Sequence, residues 1–210
     1  TNTVGVDLGV NTLATRSDGV PKTPAPKPLG RNLKKTKRLS RAVSRKQLGS
    51  RNRAKAKTKL ARSYARTRHI RQDALHKLTT NLVGTAATIV IEDLDVSGML
   101  ANRRLSRAIA DLGFYEFRRQ LEYKTAMAGG ALIVADRWFP SSKLCSVCGT
   151  KNETLELSER TWTCLSCGTF HDRDINAARN LARYPESWAG SACGADGSDR
   201  RHQTTVNPAA

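Results

Sequence analysis

Two pairs of cysteines, Cys145/Cys148 and Cys164/Cys167, have the spacing of a metal site. In each Cys-x-x-Cys one tight turn presents two sulfurs to one ion, and fifteen residues separate the pairs. Gly149 and Gly168 each follow a second cysteine, where such a turn needs unhindered backbone. Zn²⁺ takes four soft ligands in a tetrahedron, about 2.3 Å from each sulfur. All four positions are filled, which leaves no place for a catalytic water, so the expected ion is a structural zinc. Two knuckles at this spacing are rarely redox pairs. Cys193 is left over in a Gly/Ser-rich tail and is expected to be a free thiol without a role.

Three acids suggest a second kind of chemistry. Asp7 lies in TVGVDLGV, Glu92 closes the apolar run TIVIE, and Asp174 comes seven residues after Cys167 at the start of a helix-like run. Phosphodiester hydrolysis by two Mg²⁺ ions needs carboxylates that hold the ions about 3.5–4 Å apart. One ion activates water and the other stabilises the leaving oxygen. Three carboxylates leave the ion pair with a net attraction for a phosphate. Asp7, Glu92 and Asp174 are therefore the candidate catalytic and Mg²⁺-binding residues, with Mn²⁺ as a possible substitute. Two neighbouring acids compete with them. Strand alternation puts Glu92 on the face opposite Ile91, which favours it over Asp93. Asp172 falls where a helix cap is expected.

The elements that must position these groups follow from periodicity. Residues 3–20 read as a β-hairpin in which Val4 and Val6 share one face and Gly5 and Asp7 the other. The four prolines of residues 21–30 predict an extended connector or a degenerate strand at a sheet edge. Residues 31–82 contain no proline and one glycine, and predict two helices broken near Gln47–Ser50, with Leu75, Leu78 and Leu82 as an apolar stripe. Thr85–Asp95 predicts a central strand, with Ala87, Ile89 and Ile91 facing away from Thr88, Val90 and Glu92. Residues 105–128 predict one amphipathic helix with Leu105, Ile109, Leu112, Phe117 and Leu121 on its core side, stopped by Gly129-Gly130. Residues 131–134 predict a third buried strand. After Asp174 a helix is expected to about Arg183, with small Ala177 and Ala178 allowing it to lie close on the sheet.

Charge names the partner. Lys and Arg number 36 against 18 Asp and Glu, a formal net charge of +18. Half of the basic residues lie between Arg31 and Lys77, where Asp73 is the one acid. With a single sign so dominant, intrahelical salt bridges cannot account for the run, and a phosphate backbone is the expected partner. Arg51, Arg53, Lys55, Lys57, Lys59, Arg62 and Arg66 are the candidate nucleic-acid contacts. An apolar run of about 18 residues and a signal-peptide pattern are both missing from this sequence, so the expectation is a cytoplasmic protein without a membrane partner.

Four stretches, GVDLGVNTLAT, IVIEDLDVSGM, FPSSKLCSVCG and CLSCGTFHDRDINAARN, together resemble the RuvC-like nuclease half of the TnpB family. TnpB proteins are transposon-encoded relatives of type V CRISPR effectors, traditionally described as transposases. The resemblance covers about residues 3–183, with the motifs in the family's order. It implies an α/β, RNase H-like (RuvC-like) mixed sheet flanked by helices, with a zinc ribbon inserted before the final helix. It also implies an RNA-guided DNA endonuclease whose triad falls on Asp7, Glu92 and Asp174. The expected organisation is a nuclease core at 1–140 carrying a basic helical insertion at about 31–82, a zinc ribbon at 141–170, a final helix at 171–184 and a disordered tail at 185–210. The family has a region ahead of the first nuclease strand that serves guide RNA and target recognition. This chain starts almost at that strand, so the expectation is a fragment, with guide RNA a partner of the complete protein and DNA the substrate. Two other readings share these features. One is a catalytically silent, truncated nucleic-acid-binding module; the other is a strand-transferring transposase.

Overall fold

The computed structural model describes residues 2–156 and 158–188. The chain forms a mixed five-stranded sheet with helices on both faces, followed by a small two-stranded unit. Strands β1 (Thr3–Leu8) and β2 (Thr12–Arg16) pair antiparallel across a short turn, as expected of the hairpin. The proline-rich connector contributes β3 (Thr23–Pro24), a two-residue strand on the sheet edge, where missing N–H groups are tolerated. Strands β4 (Thr88–Glu92) and β5 (Ala131–Ala135) complete the order β3-β2-β1-β4-β5, with β1, β4 and β5 mutually parallel. β5 is thus an edge strand, mostly half-buried, and not the buried strand expected from its apolar composition.

Helices α1 (Pro28–Ser44) and α2 (Arg51–Thr85) form a long hairpin between β3 and β4. The break falls where the sequence places it, and Ser50 caps α2 by accepting from the Arg53 N–H. The hairpin begins at Pro28 and ends at Thr85, beyond both expected limits. The buried Asp111 carboxylate accepts from the Leu29 and Gly30 N–H groups at the start of α1, so an anion meets the positive end of a helix dipole.

The predicted 105–128 helix is two helices. Helix α4 (Ser106–Leu112) and helix α5 (Phe114–Ala128) meet at Gly113, whose φ of 73° is left-handed. A short helix α3 (Val96–Ala101), capped by Asp95, precedes them. Ile109, Leu112, Phe117 and Leu121 are buried, but Leu105 is 45% exposed because it stands before the first turn of α4. These residues and Leu75, Leu78 and Leu82 of α2 pack on Val4, Val6, Ile89 and Ile91, which forms the main core on one face of the sheet.

The opposite face carries α6 (Arg173–Trp188), with Leu181 buried against Val90 and Ala135. A Cβ on Gly5 would stand 2.0 Å from the Ala178 carbonyl oxygen, so only glycine lets α6 lie this close to β1. Ala177 and Ala178 are buried in that contact. α6 continues to Trp188, past the residue 184 where sequence reading ended it and began a disordered tail. Residues 189–210, including Cys193, lie outside the described residues. Among the described residues, no helix is long and apolar enough to cross a membrane.

Candidate catalytic and metal-binding site

Asp7 and Glu92 come from neighbouring parallel strands. Val6 pairs with Ile91, and each acid follows one step later on the face that α6 covers. Asp174 lies in the first turn of α6. Glu92 and Asp174 are both close enough to act on the Asp7 carboxyl. Burial holds the Asp7 carboxyl well above its ordinary pKa, and the charges of Glu92 and Asp174 raise it further. Glu92 is also raised by burial, opposed by a hydrogen bond from Ser141 and by the charge of Arg173.

Each acid is held by its surroundings. The Ser141 hydroxyl donates to Glu92 Oε1 at 2.6 Å, and Ser141 itself is 4% exposed. Its carbonyl accepts from Asn180 Nδ2 of α6 at 2.7 Å. Lys22, just before β3, donates to both oxygens of Asp172 and to Asp174 Oδ2. Asp172 also caps α6 by accepting from the Ile175 N–H at 3.0 Å, as sequence reading expected. Asp93 points elsewhere and is paired with Arg118 and Arg137. Lys22 lies in none of the quoted sequence stretches, and Ser141 and Asn180, which lie in two of them, carried no assigned role.

The cysteine unit contains an internal echo. Cys145–Thr150 and Cys164–Thr169 are both Cys-x-x-Cys-Gly-Thr. In each, the glycine has positive φ and donates to the carbonyl of the first cysteine, whose own N–H donates to the threonine carbonyl. In each, the second cysteine lies against the threonine hydroxyl. Those hydroxyls depress both exposed thiols, Cys148 to about 6. Even the strand pairing repeats: the Leu144–Lys151 bridge of the first copy matches Thr163–Phe170 of β6 (Thr161–Thr163) and β7 (Phe170–Asp172). The four sulfurs lie within 4.8 Å of one another, a group that could hold one metal ion. Among the described residues it is the one group of Cys, His, Asp and Glu drawn together so tightly, and the carboxylate site is more open.

His171 was not foreseen. Its Nε2 lies 3.1 Å from Cys145 Sγ, and its ring packs at a tilt on Trp162, its cross-strand partner. The unit is tied to α6 by Asn176, which accepts from the Ser146 N–H and donates to the Leu144 carbonyl. Asn180 donates to the same carbonyl and Arg183 to that of Ser146. One helix thus carries Asp174 and grips both the cysteine unit and the Ser141 turn.

The basic residues named from the sequence lie on α2. At about 100° per residue, Arg51, Lys55, Lys59, Arg62 and Arg66 fall within about 80° of one another and form a single exposed stripe. Lys57 is exposed on another flank, and Arg53 is half-buried. Ala56, Ser63 and Thr67 form the side that packs toward α1, where Ser63 meets Thr36 at 3.3 Å.

Known proteins are similar to this chain. The family OrfB_IS605, "Probable transposase", matches residues 1–103, and the family "Cas12f1-like, TNB domain" matches residues 114–181. A Streptomyces pristinaespiralis protein named "Putative RNA-guided DNA endonuclease" is 50% identical over 194 residues, which are 92% of this chain and 47% of that protein. The Escherichia coli (strain K12) protein InsQ, of the same description, is 39% identical over 193 residues, 85% of this chain and 48% of its own length. The chain spans about half the length of the curated relatives it matches. A chain in a cryo-EM structure of the Cas12f1-sgRNA-target DNA complex superposes with a TM-score of 0.59 at 16% identity, over 85% of this chain and 49% of that one. The mixed α/β fold is shared with it. The two family matches and these relatives establish that the chain belongs to the TnpB (OrfB) family.

Proposed function

We propose that this chain is the nuclease half of an RNA-guided DNA endonuclease, with an RNase H-like core, a zinc ribbon at the four cysteines and a Mg²⁺ site at Asp7, Glu92 and Asp174. The observation that carries the reading is the delivery of these three acids by two parallel strands and a helix to one place, where the buried Asp7 carboxyl feels the charges of both Glu92 and Asp174. Burial and like charge make such a group costly unless cations share it. Mg²⁺ or Mn²⁺ fits the all-oxygen donor set, and sulfur donors fit Zn²⁺.

The chain's own groups then have definite tasks. Asp7, Glu92 and Asp174 would hold the metal ions, whose chemistry would be to activate a water and stabilise the leaving oxygen. Asp7 is carried by β1, which lies close against α6 at Gly5. Ser141 fixes one Glu92 oxygen and leaves the other free to bind. Lys22 neutralises part of the charge of Asp172 and Asp174. The exposed stripe on α2 supplies phosphate contacts to DNA or to the guide RNA of the complete protein.

The test is cleavage of single- and double-stranded DNA with Mg²⁺ or Mn²⁺, with and without copurifying RNA. Asp174→Ala should abolish cutting while zinc content and folding persist. Cutting retained in that variant would remove the assignment. DNA binding without any metal-dependent cutting would favour a silent binding module.

A further inference from the structure

We propose that Trp138 is a stacking platform for an unpaired base of the strand being cut, an inference that rests on the nuclease reading. Trp138 is 83% exposed, on a chain that buries Trp162. A scattered exposed apolar residue is ordinary. Three observations set this one apart.

The first is that its backbone is fixed. The Trp138 N–H donates to Asp136 Oδ1 at 2.8 Å, and the Phe139 N–H closes the turn on the Asp136 carbonyl at 3.0 Å. The Asp136 N–H donates to the Tyr184 hydroxyl at 3.1 Å, and Phe139 meets the Tyr184 ring edge-on at 5.0 Å. Phe139 turns inward on α6 while its neighbour stands in solvent, so the indole is displayed from an ordered mount and not from a floppy loop.

The second is location. The turn begins after Ala135, the cross-strand partner of Glu92, and ends at Ser141, which donates to Glu92. Both ends of the loop that carries Trp138 therefore touch the catalytic carboxylate or its strand partner.

The third is charge. Arg137, which precedes the indole in the chain, pairs with an Asp93 carboxylate that it shares with Arg118, and Arg118 is paired with Glu122 as well. An aromatic face next in the chain to a guanidinium that shares its carboxylate partner suits a base with its phosphate. A duplex offers no free base face, so the platform should act on single strands.

The test is fluorescence titration of this chain in a Trp188→Phe background, with a mixed-sequence single-stranded oligonucleotide and with a blunt duplex, in Ca²⁺ to prevent turnover. The oligonucleotide should quench emission from Trp138. Trp138→Ala should weaken single-strand affinity by about 5- to 140-fold, Trp138→Phe should restore most of it, and duplex affinity should not change. Unquenched emission, or equal single-strand affinity in Trp138→Ala, would overturn the proposal. The nuclease reading fails separately. Quenching without Mg²⁺-dependent cutting would discard the nuclease and keep the platform, whereas cutting without quenching would do the reverse.

Discussion

Lys22 Nζ stands 3.1 Å from Asp174 Oδ2, although 151 residues lie between them in the chain. Burial works against this ammonium, but its hydrogen bonds to Asp172 and Asp174 outweigh the burial and keep its pKa above the ordinary value. A cation already on a proposed metal ligand must be displaced or shared when a metal binds. Lys22→Met should therefore tighten Mn²⁺ binding and lower the metal concentration that half-saturates cleavage. The pair is partly exposed and screened, so the change should be about 1.5- to 5-fold. Weaker Mn²⁺ binding in the variant, measured by calorimetry, would mean that Lys22 instead holds Asp174 in place for the metal.

The acids themselves make the metal-free chain sensitive to pH. Asp7 is raised by burial and then by the charges of Glu92 and Asp174, so its neutral form is favoured in the folded chain. Its contribution to stability is fully present below its unfolded pKa and is lost as pH rises through its folded value. Each unit of elevation corresponds to about 1.4 kcal/mol. Asp7→Asn should accordingly raise the Tm of the metal-free chain at neutral pH and flatten its decline between weakly acidic and neutral pH. Mg²⁺ should stabilise the parent more as pH rises, because it replaces protons at the same oxygens. Thermal melts across pH, with and without Mg²⁺, measure both trends. A parent chain that melts higher as pH rises through this range without metal would contradict the argument.

The sequence revealed elements where a strong local signal coincided with tertiary demand. Period-two valines and isoleucines put Asp7 and Glu92 on the face away from the main core, and that is the face α6 covers. The helix break at Gln47–Ser50 was legible from Gly49 and Ser50. Gly113 carried a signal that the continuous apolar periodicity obscured, and one expected helix proved to be two. β5 looked buried because its residues are apolar, but edge position depends on the order of strands, which composition does not encode. Lys22, Ser141 and His171 were illegible for a related reason. Each acquires its meaning from a partner at least 26 residues away.

His171 provides a prediction about the zinc that the cysteines are proposed to hold. Its ring nitrogen at 3.1 Å from Cys145 Sγ is placed to donate to a thiolate, and Trp162 fixes the ring. Groups that orient a metal ligand in this way typically contribute 10- to 100-fold in metal affinity. His171→Phe should keep one zinc per chain at saturation but release it to a competing chromophoric chelator at a 10- to 100-fold lower chelator concentration. Cys145→Ser should lose the zinc outright. Unchanged affinity in His171→Phe would reduce the histidine to a packing residue. Because Asn176 and Asn180 connect the cysteine unit to α6, zinc removal from the parent should also weaken Mn²⁺ binding at Asp174.

The stripe on α2 predicts how nucleic-acid binding depends on salt. Each phosphate contact that is lost should flatten the slope of log K against log salt by about 0.7–0.9. Arg51, Lys55, Lys59, Arg62 and Arg66 point to one side of the helix, so a single nucleic-acid backbone running along α2 can meet all of them. Replacing the five with Ala should reduce the slope by about 3.5 to 4.5, and replacing them one at a time should give nearly equal steps. Lys57 carries the same charge on another flank, so Lys57→Ala separates the two possible causes. If only overall charge mattered, it would weaken binding as much as any residue of the stripe. If the stripe is the contact surface, its slope should remain near that of the parent, and binding isotherms at four or five salt concentrations would distinguish the two.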